Sequence, residues 1–301
     1  MEDPVLYGVT GWPLAQSLSP LLHNTGFHAL GLPAVYCRWE VPPPRLPAFV
    51  ESVRLLHIRG CSVTIPHKAA LAPLLDAVTP LARQVGAVNT LYWQGDALCG
   101  ENTDAAGFLA PLAGLPLGQG DALLLGAGGA ARAVAAGLTS LPEGQRPRRV
   151  YVATPSDRSH RALAEAFGLV PLQWAERHDL PALLVVNATP LGMRGKAEAE
   201  TPYDFALAAA PLSGQKSGFY GEKAAQATPL AYDLVYNPLE TRFLREARLA
   251  GRRCVSGLEM FYCQGDAQFR LWTGRALPSA ARRALDAALG ADARHKEAPC
   301  A

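Results

Sequence analysis

The stretch Leu123-Leu124-Leu125-Gly126-Ala127-Gly128-Gly129-Ala130-Ala131-Arg132-Ala133 constrains the fold more than any other part of the chain. Apolar residues 122–125 predict a buried strand, and Gly126, Gly128 and Ala131 follow at the spacing G-x-G-x-x-G/A. A strand that turns sharply into a helix needs backbone freedom at the first glycine. A missing side chain at the second lets a phosphate approach the main chain, and a small third residue keeps the helix close to the sheet. The helix predicted over 130–138 points its N–H groups and positive dipole end at the turn, which suits a pyrophosphate. A tight strand–helix turn with no ligand uses the same residue types, so the motif needs its context.

That context is a chain of 301 residues, long enough for two domains. It is 49% hydrophobic and 18% charged, enough for large cores. The net charge of +2 and the absence of a Lys/Arg run give no reason to expect a nucleic-acid or membrane partner. The start, Met1-Glu2-Asp3-Pro4, has no basic leader pattern, and no apolar run reaches about 18 residues, so neither a signal peptide nor a membrane span is expected. Six scattered cysteines (Cys37, Cys61, Cys99, Cys254, Cys263, Cys300) form no C-x-x-C and no Cys/His metal spacing. They read as reduced thiols of a cytoplasmic protein without a metal.

Before the glycine turn, strands are expected at 5–9, 34–41 and 60–64, then a hairpin whose first strand spans 86–93 and which turns at 94–96. Ser19 before Pro20 predicts a helix start with serine as N-cap, the helix ending at Gly31. Leu46, Phe49, Val53 and Leu56 give an amphipathic helix over 45–56. Further helices are expected at 80–85 and 105–112, the second capped by Asp104. Pro66 opens another, which would leave Lys68 in a first helical turn, where the dipole disfavours a cation. Locally, each polar residue here has a structural reading: Ser17 turns, Ser19 and Asp104 cap, His23 and Asn24 pack, and Lys68 is a solvated cation. Alternating strands and helices make this an α/β domain of its own.

After the turn, strands are expected at 149–153, 183–186, 230–236 and 254–257, and helices at 240–249, 258–273 and 279–289. Residues 194–228 read as a loop-rich insertion and 291–301 as a disordered tail. An acid at the end of the second strand, about 20 residues past the turn, favours NAD, and an arginine favours NADP. The chain has Thr154-Pro155-Ser156-Asp157-Arg158 there, with Arg161 beyond, which leaves the choice open.

Taken together, the motifs resemble the shikimate dehydrogenase family over nearly the whole chain. The matching segments are Ser17-Leu18-Ser19-Pro20 with His23-Asn24, Ser62-Val63-Thr64-Ile65-Pro66-His67-Lys68, Gly86-Ala87-Val88-Asn89-Thr90, and Asn102-Thr103-Asp104 with Gly107. They continue with Gly126-Ala127-Gly128-Gly129-Ala130, Asn187-Ala188-Thr189-Pro190-Leu191-Gly192-Met193, and Tyr232-Asp233-Leu234-Val235-Tyr236-Asn237-Pro238 with Thr241. The last is Gly257-Leu258-Glu259-Met260 with Gln264, Gln268-Phe269 and Trp272-Thr273-Gly274. Each alone is weak; all of them in order are specific.

The resemblance implies two α/β domains about a cleft: a substrate domain of residues 1–104 with 258–290, and a Rossmann-type NADP domain of 105–257. It implies reversible reduction of 3-dehydroshikimate to shikimate, on the route to chorismate and the aromatic amino acids, by a monomer or homodimer. By the same resemblance Lys68 and Asp104 form the catalytic pair. Ser17, Ser19 and Tyr236 hold the substrate carboxylate, and Thr64, Asn89 and Gln264 read its ring hydroxyls. The cofactor falls to Gly126, Ala127, Gly128, Gly129, Ala130, Thr154, Arg158, Thr189, Leu234 and Gly257. Two departures stand out. Ser62 replaces a frequent asparagine, and Thr154-Pro155-Ser156 replaces the Asn-Arg-Thr that reads the 2′-phosphate. The second makes an NAD-preferring quinate/shikimate dehydrogenase the alternative; a non-catalytic dinucleotide-binding regulator is a third reading, disfavoured by the complete catalytic set.

Overall fold

The computed structural model describes residues 3–14, 17–195, 197–209 and 228–290, with only the backbone of Asp157 and Arg158. The tail expected at 291–301 and most of the stretch 210–228 lie outside these residues. The described residues divide into two compact units. One runs up to Gly107 and resumes at Tyr262; the other is Phe108–Phe261.

The first unit contains β1 (Val5–Gly11), α1 (Ser19–Ala29), β2 (Ala34–Glu40), α2 (Leu46–Leu55), β3 (Gly60–Val63), β4 (Ala77–Val78), α3 (Pro80–Val85), β5 (Thr90–Gln94) and β6 (Ala97–Glu101). Its sheet has the order β2-β1-β3-β5-β6-β4. β1 pairs in parallel with both β2 and β3, whereas β5 is antiparallel to β3 and β6. Ser62 and Thr90 are direct partners across the β3–β5 pair. Leu46, Val50 and Val53 of α2 pack with Cys61, Val63, Leu91 and Leu98 of the sheet in one core. Leu56 does not join them: the helix ends at Leu55, so Leu56 leaves the apolar face and is 58% exposed.

The second unit holds β7 (Ala122–Leu125), α5 (Gly129–Ser140), β8 (Val150–Ala153), α6 (Asp157–Phe167), β9 (Val170–Pro171), β10 (Leu184–Asn187), β11 (Leu230–Asp233), α7 (Arg242–Leu249) and β12 (Arg253–Val255). The all-parallel order β12-β11-β10-β7-β8-β9 is a doubly wound sheet whose strand order reverses between β7 and β10. Leu125 pairs with Ala153 and Asn187, and Asn187 with Asp233, so the strands end level and their following loops share one edge. Ala122–Leu125 are fully buried, as an unbroken apolar run in a parallel strand must be. The stretch read as an insertion is irregular where described, yet it is also core: Tyr203 and Phe205 pack with Leu123, Phe243 and Leu244. α6, β4 and β9 are additions to the sequence reading.

α4 (Asp104–Leu109) and α8 (Gly257–Thr273) each run from one unit into the other, and the expected joins at 104/105 and 257/258 fall on these helices. α9 (Ser279–Ala288) packs on α1. Among the described residues, no helix is long and apolar enough to cross a membrane. Cys37, Cys61, Cys99 and Cys254 are free thiols, whereas Cys263 is disulfide-bonded, a correction to six reduced cysteines that no local spacing signalled.

Candidate active site

Lys68 follows β3 in a three-residue 3-10 turn, His67–Ala69. Such a turn carries no appreciable macrodipole, so Lys68 is not set against a helix N-terminus as its sequence position predicts. Two backbone anchors fix the turn instead. The Val41 carbonyl can only accept, so the buried His67 donates to it from Nε2 at 2.7 Å. The Lys68 carbonyl accepts from the Val88 N–H at 2.8 Å. The ammonium then reaches Asp104, with Nζ 2.6 Å from Oδ2. Both side chains are shielded, at 29% and 13% exposure.

Asp104 does not cap α4. Its own N–H is satisfied by Asn102 Oδ1 at 3.1 Å, which leaves the carboxylate for other partners. Oδ2 takes Lys68, and Oδ1 accepts from Asn89 Nδ2 at 2.8 Å. The Asn89 amide is oriented in turn: the Thr103 N–H can only donate, so the Asn89 atom 2.7 Å from it is Oδ1. Lys68, Asp104 and Asn89 are thus brought together as one hydrogen-bonded group, built from three separate segments.

Ser19 also differs from its local reading. α1 is preceded by Leu18 with no side-chain cap, and Ser17 Oγ accepts from the Ser19 N–H at 3.4 Å. The Ser19 side chain is buried beside the Tyr36 phenol, which itself donates to Ser62 Oγ at 2.6 Å. Burial holds the Tyr36 pKa well above its ordinary value. Thr64 sits just past β3, its N–H bonded to the Thr10 carbonyl at 2.9 Å. Gln264 on α8 packs on Gly107 of α4, one turn beyond Asp104; a Cβ on Gly107 would meet Gln264 Cβ at 2.6 Å. Tyr236 lies in the second unit, where its ring packs at a tilt against Phe261, with centroids 5.1 Å apart. His23 and Asn24 pack and pair as expected, His23 against Tyr36 at 4.6 Å and Asn24 with both backbone groups of Tyr36.

In the second unit, Gly126 has φ +114°, a conformation that only glycine adopts easily, and a Cβ there would lie 2.9 Å from the Ala188 carbonyl oxygen. Gly128 and Gly129 differ: a Cβ on either would meet nothing within 4 Å. The fold does not need glycine at these two positions, but a group approaching the backbone does. Ala127 is half-buried, Gly128, Gly129 and Ala130 are exposed at the start of α5, and Ala131 is fully buried against the sheet. The turn therefore leaves its backbone open at the strand-order reversal, a shape that could receive a phosphate.

The neighbouring loops at the same sheet edge are tied together by hydrogen bonds. Asp233 accepts from Asn187 Nδ2 at 2.9 Å, from the Val235 N–H at 3.0 Å and from the Thr241 hydroxyl. Asn187 Oδ1 takes both the N–H and the hydroxyl of Thr189, at 2.9 and 2.7 Å. Burial of Asp233 pushes its pKa up to about 7. Gly257 lies against Leu234: a Cβ would come 2.4 Å from the Leu234 carbonyl oxygen. The Thr154 hydroxyl is spent inside its own loop, donating to the Ser156 carbonyl and accepting from His160 Nδ1 at 3.0 Å. The Arg158 side chain lies outside the described residues; Arg161 is exposed on α6. Sequence reasoning gave no role to Tyr36, Thr90, Thr103 or Gln268, although Thr90, Thr103 and Gln268 stand inside the matching segments.

Residues 9–91 match the shikimate dehydrogenase substrate binding domain. The chain is 51% identical over 292 residues to the shikimate dehydrogenase (NADP(+)) of Pelobacter propionicus, covering 96% of this chain and 98% of the relative. It is 49% identical over 280 residues to that of Oleidesulfovibrio alaskensis, covering 93% and 94%. It also matches the crystal structure of shikimate 5-dehydrogenase from Thermus thermophilus in complex with NADP(H) and shikimate, with TM-score 0.78 and 39% identity over 93% of this chain and 99% of that one. The chain belongs to the shikimate dehydrogenase family.

Proposed function

We propose that the chain catalyses the reversible NADP-dependent reduction of 3-dehydroshikimate to shikimate. The observation that carries this is the Lys68–Asp104 pair, 2.6 Å apart and shielded from solvent, in a chain 51% identical to a relative of that name. NADP, when bound, supplies the hydride acceptor and in its reduced form the donor. In the oxidation direction the substrate hydroxyl must also lose a proton. The Lys68–Asp104 pair receives it, and the ammonium stabilises the developing alkoxide. Asn89 keeps Asp104 in place and offers a further polar contact to a ring hydroxyl.

The first unit is assigned to substrate. Ser17 and Ser19 take the carboxylate, joined by Tyr236; Thr64, Asn89 and Gln264 read the hydroxyls. Recognition by buried polar groups rejects analogues lacking a hydroxyl, since the site's own groups would be left unpaired. The second unit is assigned to NADP. Gly126, Ala127, Gly128, Gly129 and Ala130 would receive the pyrophosphate, and Thr154, Arg158, Thr189, Leu234 and Gly257 would hold the rest of the cofactor. Thr154 would act by loop shape, because its hydroxyl is already committed. The reading needs no nucleic acid, membrane or metal, and the protein works in the cytoplasm as a monomer or homodimer. Initial rates of shikimate oxidation with NADP and with NAD test it: faster turnover with NADP supports it, and a preference for NAD or for quinate replaces it.

A further inference from the structure

We propose that Gln268 is a positioning residue for the Lys68–Asp104 pair, acting through Thr90 and Asn89; this rests on the functional reading above. Gln268 is on α8 and is 1% exposed. Its amide sits in the middle of a buried hydrogen-bond relay with a single direction. The Tyr36 phenol donates to Ser62 Oγ at 2.6 Å, and Ser62 donates to Gln268 Oε1 at 2.7 Å. Gln268 Nε2 donates to Thr90 Oγ1 at 3.0 Å, and Thr90 donates to Asn89 Oδ1 at 2.7 Å. Asn89 Nδ2 then donates to Asp104 Oδ1 at 2.8 Å, and Lys68 holds the other carboxylate oxygen.

The direction is set by groups that cannot reverse. Gln268 Nε2 also faces the Asn89 backbone carbonyl at 3.3 Å, an atom that only accepts, so the nitrogen must be on that side. A hydroxyl has one proton. Because Gln268 donates to Thr90, the Thr90 proton is turned toward Asn89 Oδ1. The Thr90 hydroxyl joins the N–H and the hydroxyl of Thr103, at 2.7 and 3.2 Å, in holding that oxygen away from Asp104. Ser62, the residue that departs from the family's frequent asparagine, completes the relay by donating to the Gln268 carbonyl. The relay thus leads from Tyr36, beside Ser19, to the proton-transfer pair.

Two variants preserve volume: Thr90→Val removes the hydroxyl, and Gln268→Glu exchanges the amide for a titratable carboxyl. In Gln268→Glu the ionised carboxylate accepts from Thr90, so the Thr90 proton turns away from Asn89. Once protonated, the introduced carboxyl donates to Thr90 and restores the direction. In the wild type the other titratable groups facing this position are Tyr36, kept neutral by burial, and His23, which lies beside the Gln268 amide and whose pKa burial lowers to about 3; the Gln268→Glu profile is therefore also measured in a His23→Phe background, where no imidazole can pair with the new carboxylate. The experiment measures shikimate oxidation by the full chain with NADP for wild type, Gln268→Glu, Gln268→Ala, Thr90→Val and the Gln268→Ala/Thr90→Val double variant.

Expected are about tenfold losses of kcat for Gln268→Ala and Thr90→Val with KM for NADP within about twofold of wild type. The double variant should be no worse than the poorer single variant, because both cut the same relay. For Gln268→Glu, kcat relative to wild type should fall as pH rises through ionisation of the new carboxyl. Wild-type kcat and pH profile in Thr90→Val and Gln268→Glu would overturn the proposal, as would losses that simply multiply. If Gln268→Ala fails to fold, the two volume-preserving variants decide. An inactive wild type would overturn the functional reading and this proposal with it, whereas an active wild type with indifferent variants overturns the proposal alone.

Discussion

His23 sets a measurable acid limit on the first unit. The ring is fully buried, stacked on Tyr36 at 4.6 Å and Phe269 at 6.1 Å, and desolvation lowers its pKa from 6.5 to about 3. The native state therefore holds the ring neutral while the unfolded chain protonates it below pH 6.5. Stability from this group is complete above pH 6.5 and is lost as pH falls toward 3. The full span of that loss is at most about 5 kcal/mol, from ~1.4 kcal/mol per pH unit, and about 2 kcal/mol of it is already gone at pH 5. His23→Phe keeps a flat ring in both stacks and removes the titration. Urea unfolding of wild type and variant at pH 7 and pH 5 gives a double difference in which every other titrating group cancels. We expect the variant to gain about 2 kcal/mol on wild type between the two pH values. No change in the difference would refute the argument that a neutral, desolvated imidazole is held there.

Lys68→Ala should lower shikimate turnover by about 10²-fold or more while leaving NADP binding, followed by cofactor fluorescence titration, unchanged; unchanged turnover would remove Lys68 from the chemistry. The glycines of the cofactor turn should separate by role. Gly126→Ala strains a φ of +114° and strikes the Ala188 carbonyl, so it should cost about 1–3 kcal/mol in unfolding experiments. Gly128→Ala meets no neighbour and should melt like wild type yet bind NADP more weakly. Asp233 shows linkage of the opposite sign to His23. Its folded pKa is raised to about 7 from 3.8, so the unfolded chain ionises first and this group's contribution falls as pH rises from 4 to 7. Asp233→Asn should therefore improve relative to wild type across that window by at most about 4 kcal/mol; a flat difference would contradict the burial argument.

The turn was legible at Gly126, where a φ of +114° and the nearby Ala188 carbonyl restrict the residue type, whereas the open space at Gly128 and Gly129 leaves the fold itself no need of glycine there. The polar residues of the first unit were locally misread because capping rules see only the adjacent chain. Ser19 and Asp104 both stand where a cap belongs, but the first is buried beside Tyr36 of β2, and Asn102 caps Asp104's N–H so that its carboxylate is released to Lys68 and Asn89. Only the order of motifs along the chain pointed past the local reading. Gln268 and Thr90 were hidden for a related reason: they are 178 positions apart in sequence, and nothing near either one signals the hydrogen bond between them. β4 and β9 are two residues each, too short to show a period. The stretch around Tyr203 and Phe205 carries no regular element, so its place in the core had no periodic trace.

The most direct test of the account is the initial rate of shikimate oxidation by the purified full chain with NADP, measured beside the same reaction with NAD. The account predicts turnover with NADP well above that with NAD, and lowered about 10²-fold or more in Lys68→Ala. An absence of turnover with either cofactor would contradict it.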